Sequence, residues 1–121
     1  MTDNPENIEG VFSIDIGGSV RETKANFGVV EKLERQLFKR PILSVLNGAL
    51  NGDIYISDIV DVIDISLRAN KDTRLTREEI GQEVTQKGAI TYTEWYLKYL
   101  TYLITGDDSS EPDAVDLSKK K

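Results

Sequence analysis

From residue 11 to residue 25 the chain alternates, turns and alternates back, and nothing after it repeats that pattern. Phe12, Ile14 and Ile16 fall on even positions, with Ser13 and Asp15 between them, so a strand here carries three apolar side chains on one face. Gly17-Gly18 comes next, a dipeptide that accepts positive φ at both central positions of a tight turn. Ser19 to Ala25 sets Val20 and Thr23 among Arg21, Glu22 and Lys24, the composition of a polar return strand. A lone two-stranded hairpin is marginal in water, so its apolar face must lie on the rest of the domain.

The rest of the domain is helical. Asn26 is placed to cap a helix starting near Phe27, and Phe27, Val30, Leu33, Leu37 and Phe38 recur at spacings of three and four. Pro41 fits the first turn of a second helix and not the interior of the first, which makes Arg40 a boundary. Leu43, Leu46 and Leu50 are in register on that short helix, and Gly48, Asn51 and Gly52 close it. Ile54 to Ala69 holds many β-branched residues, a mild vote against helix. The unbroken stripe of Ile56, Ile59, Val60, Ile63 and Leu67 decides for helix, with Ser57 as its cap. Thr76-Arg77-Glu78-Glu79 forms a capping box with Leu75 and Ile80 as its hydrophobic staple, and Gly88 is the expected stop. Thr91-Tyr92-Thr93-Glu94 reads as a second box, with Ile90 and Trp95 as staple, opening a last helix from Tyr92 to about Thr105 that Gly106 ends. The fold class is α+β and mostly α: an N-terminal hairpin followed by four to five helices.

Charge divides the chain into parts. Of 121 residues, 15 are Lys or Arg and 21 Asp or Glu, a net charge of -6. Residues 1–10 contribute -3 and residues 107–121 contribute -2, which leaves the middle at -1. The expectation is a flexible acidic N-terminus over 1–10, one domain over 11–106 and a disordered tail over 107–121. Val115 and Leu117 could act as a docking motif in that tail, although an unstructured end is the plainer reading. Met1 to Gly10 has no basic residue and so does not resemble a signal or transit peptide. No apolar run approaches the ~18 residues of a membrane span.

Several chemistries lack their residues. With no Cys and no His there is no disulfide framework, thiolate or imidazole metal site, or Ser–His couple. Gly17-Gly18-Ser19 lacks the Gly-Lys-Ser/Thr ending of a phosphate loop and precedes a strand, so a hairpin turn is preferred. Asp58, Asp61 and Asp64 are spaced by three and could gather two carboxylates on one hard cation. Counted as an EF-hand, the positions that need Gly and Glu hold Ile63 and Ala69, so a wet helix face is preferred. Among acids that could have a raised pKa for glycoside chemistry, Asp15 should face outward and Glu94 is committed to capping. Arg68, Lys71, Arg74 and Arg77 are the only basic cluster, interrupted by Asp72, Glu78 and Glu79, and a near-neutral domain is a poor duplex binder. No nucleic acid, membrane, metal or cofactor is expected.

The last helix is the distinctive element. It carries the only Trp and four of the five Tyr: Tyr92, Trp95, Tyr96, Tyr99 and Tyr102, with Leu97, Leu100, Leu103 and Ile104. A helix apolar nearly all round is buried on more than one face, and in a domain this small part of it is expected to meet another chain. Tyr and Trp suit interfaces because they bring area with a polar tip. The Leu positions are assigned to the core. Trp95, Tyr99 and Tyr102 are the candidate partner-binding residues, with core packing an equal alternative for Trp95 and Tyr102.

The order of these elements resembles the small tail assembly chaperones of phages, in the branch found in gene transfer agents and prophages, whose members are sometimes labelled tail tube proteins. The resemblance covers about residues 10 to 107. It rests on the hairpin Val11 to Ala25, the Phe27-Gly28 opening onto an acidic, leucine-bearing helix, the Asn51-Gly52-Asp53 turn, the apolar helix Ile56 to Asn70, Leu75-Thr76-Arg77-Glu78-Glu79, and Gly106-Asp107. The chain departs from it in the last helix, where members often carry Ala and Leu. The resemblance implies a non-enzymatic role in the bacterial cytoplasm during particle assembly, with a tape-measure-like protein as partner, a tail tube protein as a second one, and self-association left open. One hairpin offers too little strand for a tube subunit. The alternative from another class is a small acidic metal-dependent enzyme or binding module using the Asp58, Asp61 and Asp64 face.

Overall fold

The computed structural model describes residues 10–106, and the hairpin and helices occur in the expected order. Strand β1 (Val11–Ile16) pairs antiparallel with β2 (Ser19–Lys24), Ile16 standing opposite Ser19 across Gly17-Gly18. Both glycines have positive φ, 69° and 86°, which few side-chain-bearing residues tolerate. Ile14, Ile16 and Thr23 are buried on the inner face, while Ser13, Asp15, Val20 and Glu22 face out. The ladder extends one pair further than the sequence indicated. Gly10, assigned to the flexible terminus, accepts a hydrogen bond from the Ala25 amide at 2.9 Å and is buried. The remaining expected ends, residues 1–9 and 107–121 with Val115 and Leu117, lie outside the described residues.

Helix α1 (Phe27–Lys32) starts where Asn26 accepts a hydrogen bond from the Val29 amide. It continues as a π-helical stretch, Leu33–Phe38, which Lys39 ends in a left-handed conformation. The expected apolar stripe is turned. Val29 and Leu33 are buried, Val30, Leu37 and Phe38 are half-buried, and Phe27 points to solvent. Phe27 sits at the first helical position, where the chain has just left β2, and the wider π turns shift the later residues off a 3.6 period.

Helix α2 (Ile42–Leu50) is preceded by Pro41 at its N-cap, one residue before the expected place. Its first amide is taken by a side chain from the previous element: Glu34 accepts from Ile42 N at 2.9 Å. Helix α3 (Ile56–Ala69) buries Ile59, Val60, Val62, Ile63 and Leu67, so burial overrides the β-branched preference for strand. Tyr55, not Ser57, is the residue before it, and no side chain caps it.

Helix α4 (Arg77–Lys87) has the complete capping box, Thr76 accepting from Glu79 N and Glu79 from Thr76 N. Ile80, one half of the staple, is fully buried. The second box does not form. Helix α5 (Ala89–Thr105) begins three residues earlier than the Tyr92 start, directly after Gly88, whose φ of 93° turns the chain from α4 into α5. Thr91 is therefore inside the helix and donates back to Lys87 O, Glu94 pairs with Lys98, and Ile90 is 87% exposed. Gly106, left-handed at φ 75°, ends α5 as expected, its amide bonding Tyr102 O.

Helix α3 is the centre of the packing. β2 and α4 lie against it, and α5 packs on α2, α3 and α4. Buried Ser66 and Thr101 satisfy their hydroxyls within their own helices, on Ile63 O and Leu97 O. The two boxes make opposite predictions. Thr76→Ala should cost about 1 kcal/mol in urea denaturation because a cap is lost. Thr91→Ala should change stability by no more than about 0.5 kcal/mol, as for a surface helix position.

Candidate functional site

The three residues singled out on the last helix come together, on the hairpin. Tyr99 is fully buried and Tyr102 nearly so, while Trp95 is half-buried. Trp95 stacks on Tyr99 with ring centroids 4.8 Å apart, and Phe12 of β1 meets all three rings at 5.5–6.1 Å. Trp95 Nε1 donates to Ser13 O at 2.9 Å, and the Tyr99 hydroxyl donates to Lys24 O at 2.5 Å. Burial raises the Tyr99 phenol pKa well above its ordinary value. These side chains bind the last helix to the hairpin inside one chain. Tyr99 has no face left for a partner, the outer part of Trp95 borders a shallow groove with Asp15, Thr91 and Lys98, and an edge of Tyr102 borders a second groove at the start of α1.

The acidic face of α3 is not a gathered ligand set. Asp61 is bonded by Arg77 and Asp64 by Arg68 at 2.9 Å, so two of the three carboxylates are each committed to a guanidinium. Among the described residues no group of three or more acidic side chains is placed to hold a metal ion. The same contacts tie up much of the basic cluster. Arg74 and Arg21 both reach Asp72, at 2.8 and 3.4 Å, and Arg21 also donates to Ile16 O. Asp72 thus joins the α3–α4 loop to the hairpin. Hydrogen bonding from Arg74, with Arg21 adding, holds its carboxyl well below the usual carboxylate range. No described helix is long and apolar enough to cross a membrane.

One apolar surface left uncovered lies at the start of α1, and the hydrophobic stripe of that helix concealed it. Phe27 is 74% exposed, at the mouth of a groove of about 450 Å³ between the start of α1 and the end of α5. Val30 and Leu103, both half-buried, form its walls, with Tyr102 and Gly106 beside them. An exposed Phe beside half-buried aliphatic residues is a surface that a partner side chain can desolvate. Comparison with family models, curated proteins and solved structures finds no match to this chain.

The buried cluster and the loop clamp each predict an outcome. Tyr99→Phe leaves Lys24 O without its donor and should destabilise by about 1–3 kcal/mol in denaturant titration. Asp72 has a lower pKa folded than unfolded, so its contribution is present above the unfolded value near 3.8 and is lost as pH falls toward the folded one. The gap in melting temperature between the parent and Asp72→Asn should therefore be full at neutral pH and close as the medium is acidified below about pH 4.

Proposed function

We propose that this chain is a non-catalytic assembly protein of a phage or gene-transfer-agent tail, which holds an apolar helical segment of a tape-measure-like protein while the tail forms. The observation that carries this reading is the groove at Phe27, where an exposed Phe stands beside the half-buried Val30 and Leu103. An amphipathic helix laid into such a groove anchors through side chains at spacings of three and four. The order of hairpin, Phe27-Gly28 helix, Leu75 to Glu79 helix and Gly106 stop supports the same role, because it resembles that of tail assembly chaperones. A net charge of -6 suits a protein that must stay soluble while presenting apolar surface. In this role the protein works in the bacterial cytoplasm, the tail tube protein is its second partner, and the partner surface moves from the aromatics of α5 to Phe27, Val30 and Leu103.

Co-expression with a tape-measure protein of the same genome, followed by sizing of the soluble fraction, tests this. The parent chain should keep the long partner soluble and co-elute with it. Phe27→Ser should abolish co-elution while its melting temperature stays within a few degrees of the parent, since an exposed side chain adds little to the fold. Co-elution unaffected by Phe27→Ser, or a tape-measure protein that precipitates whether or not this chain is present, would contradict the proposal.

A further inference from the structure

A second opening, independent of the Phe27 groove, lies where the end of the π-helical stretch, the start of α2 and the start of α3 meet the middle of α5. Its volume is about 300 Å³, and Leu37, Phe38 and Val45 give it apolar walls. Two carboxylates line it, Asp53 and Asp58, and neither has a basic side chain within ion-pair distance, in contrast to Asp61 and Asp64 on the same face. Arg40 lines it too, exposed and forming no ion pair with either acid.

Tyr96 is the feature that points to a ligand. The residue is 1% exposed, yet it lines this cleft and makes no hydrogen bond to another described residue. The charges that act on its hydroxyl are those of Asp58 and Arg40, two other lining residues, so the polar end of the ring faces the opening. Tyr99, one turn on, is equally buried and has its hydroxyl satisfied by Lys24 O. The Tyr96 hydroxyl is not sealed off: it opens into the cleft, where water or a ligand can meet it.

We infer that this cleft binds a primary alkylammonium group, either a free aliphatic amine or the lysine side chain of a polypeptide. An ammonium has three N–H donors and no acceptor. The cleft offers it the two carboxylates and the phenol oxygen, with aliphatic walls for the methylene stem and the Phe38 ring for the charge. Arg40 offsets one of the two negative charges and leaves the other for the ligand. The state of Asp58 agrees in direction: burial first, then the nearby Asp61, raise its pKa, and Arg40 offsets this only in part.

The test is an NMR titration of the full chain with n-butylammonium chloride, at constant ionic strength, against 1-butanol. The expected result is saturable shifts at the amides around Asp58 and Tyr96 with the amine and not with the alcohol. Asp58→Asn and Tyr96→Phe should each weaken binding, the first by roughly tenfold for a lost charge-assisted contact. Arg40→Gln should tighten it by removing the competing charge. Asp58→Asn also guards the fold, because replacing a poorly solvated carboxylate should not lower the melting temperature. Putrescine and a blocked lysine then distinguish the sources: binding of putrescine alone assigns a free polyamine, and binding of blocked lysine assigns a polypeptide side chain. No saturable shift, an equal response to butanol, or unchanged binding by Asp58→Asn would overturn the inference and leave Tyr96 to solvent.

Discussion

A two-stranded hairpin turns half of its backbone carbonyls outward, and here side chains from the helical layer fill three of those places. The turn fixes Ile16 opposite Ser19 as a hydrogen-bonded pair, so the pairs at Ile14 and Phe12 bond inward and those at Ser13 and Val11 point out. The Ala25 amide bond to Gly10 O continues the same alternation. Of the outward carbonyls, Ser13 receives Trp95, Glu22 receives Asn70 and Lys24 receives Tyr99. Arg21 adds a bond to Ile16 O and an ion pair to Asp72. The hairpin is thereby fastened along both edges to α5 and to the loop after α3. Side chains seated on these edges also hinder strand addition, the usual hazard of a short sheet.

This requirement gives a physical reason for the composition of α5. Leu would cover the hairpin equally well but donates nothing to a carbonyl. Trp and Tyr combine a large apolar area with one donor at the far end, and Trp95 and Tyr99 use both parts. The aromatics that hold the hairpin are withdrawn from the surface, and Phe27 at the beginning of α1 is among the large apolar residues that stay exposed, with Val20, Tyr55, Ile56 and Ile90.

Features of the fold that depend on neighbours in sequence were legible in it. The alternation at Phe12, Ile14 and Ile16, the Gly17-Gly18 turn, the Asn26 cap, the Thr76–Glu79 box and the Gly106 stop each rest on a few adjacent residues, and each is present. Of the rest, two features were misread from local letters and one was left open because it depends on a contact across the fold. Thr91–Glu94 has the letters of a capping box, yet Gly88 lets α5 begin earlier and absorbs the box into the helix. Phe27 has the spacing of a core residue and is nonetheless exposed. Whether Trp95 met a partner or the core turned on Ser13, 82 residues away, which no local pattern encodes. The Tyr96 cleft was unreadable for the same reason, being assembled from Asp53, Asp58 and Arg40 on three separate segments.

The central claim is that hairpin and helices form one cooperative unit through these edge bonds. Native-state hydrogen exchange measures it most directly. If the account holds, the amides of Phe12, Ile14 and Ile16 exchange with the same opening free energy as those of Tyr99 and Leu100 in α5, because the strands open only when the whole fold does. If the strand amides exchange far more readily while α5 stays protected, the hairpin opens by itself, and the aromatic contacts do not hold the fold together.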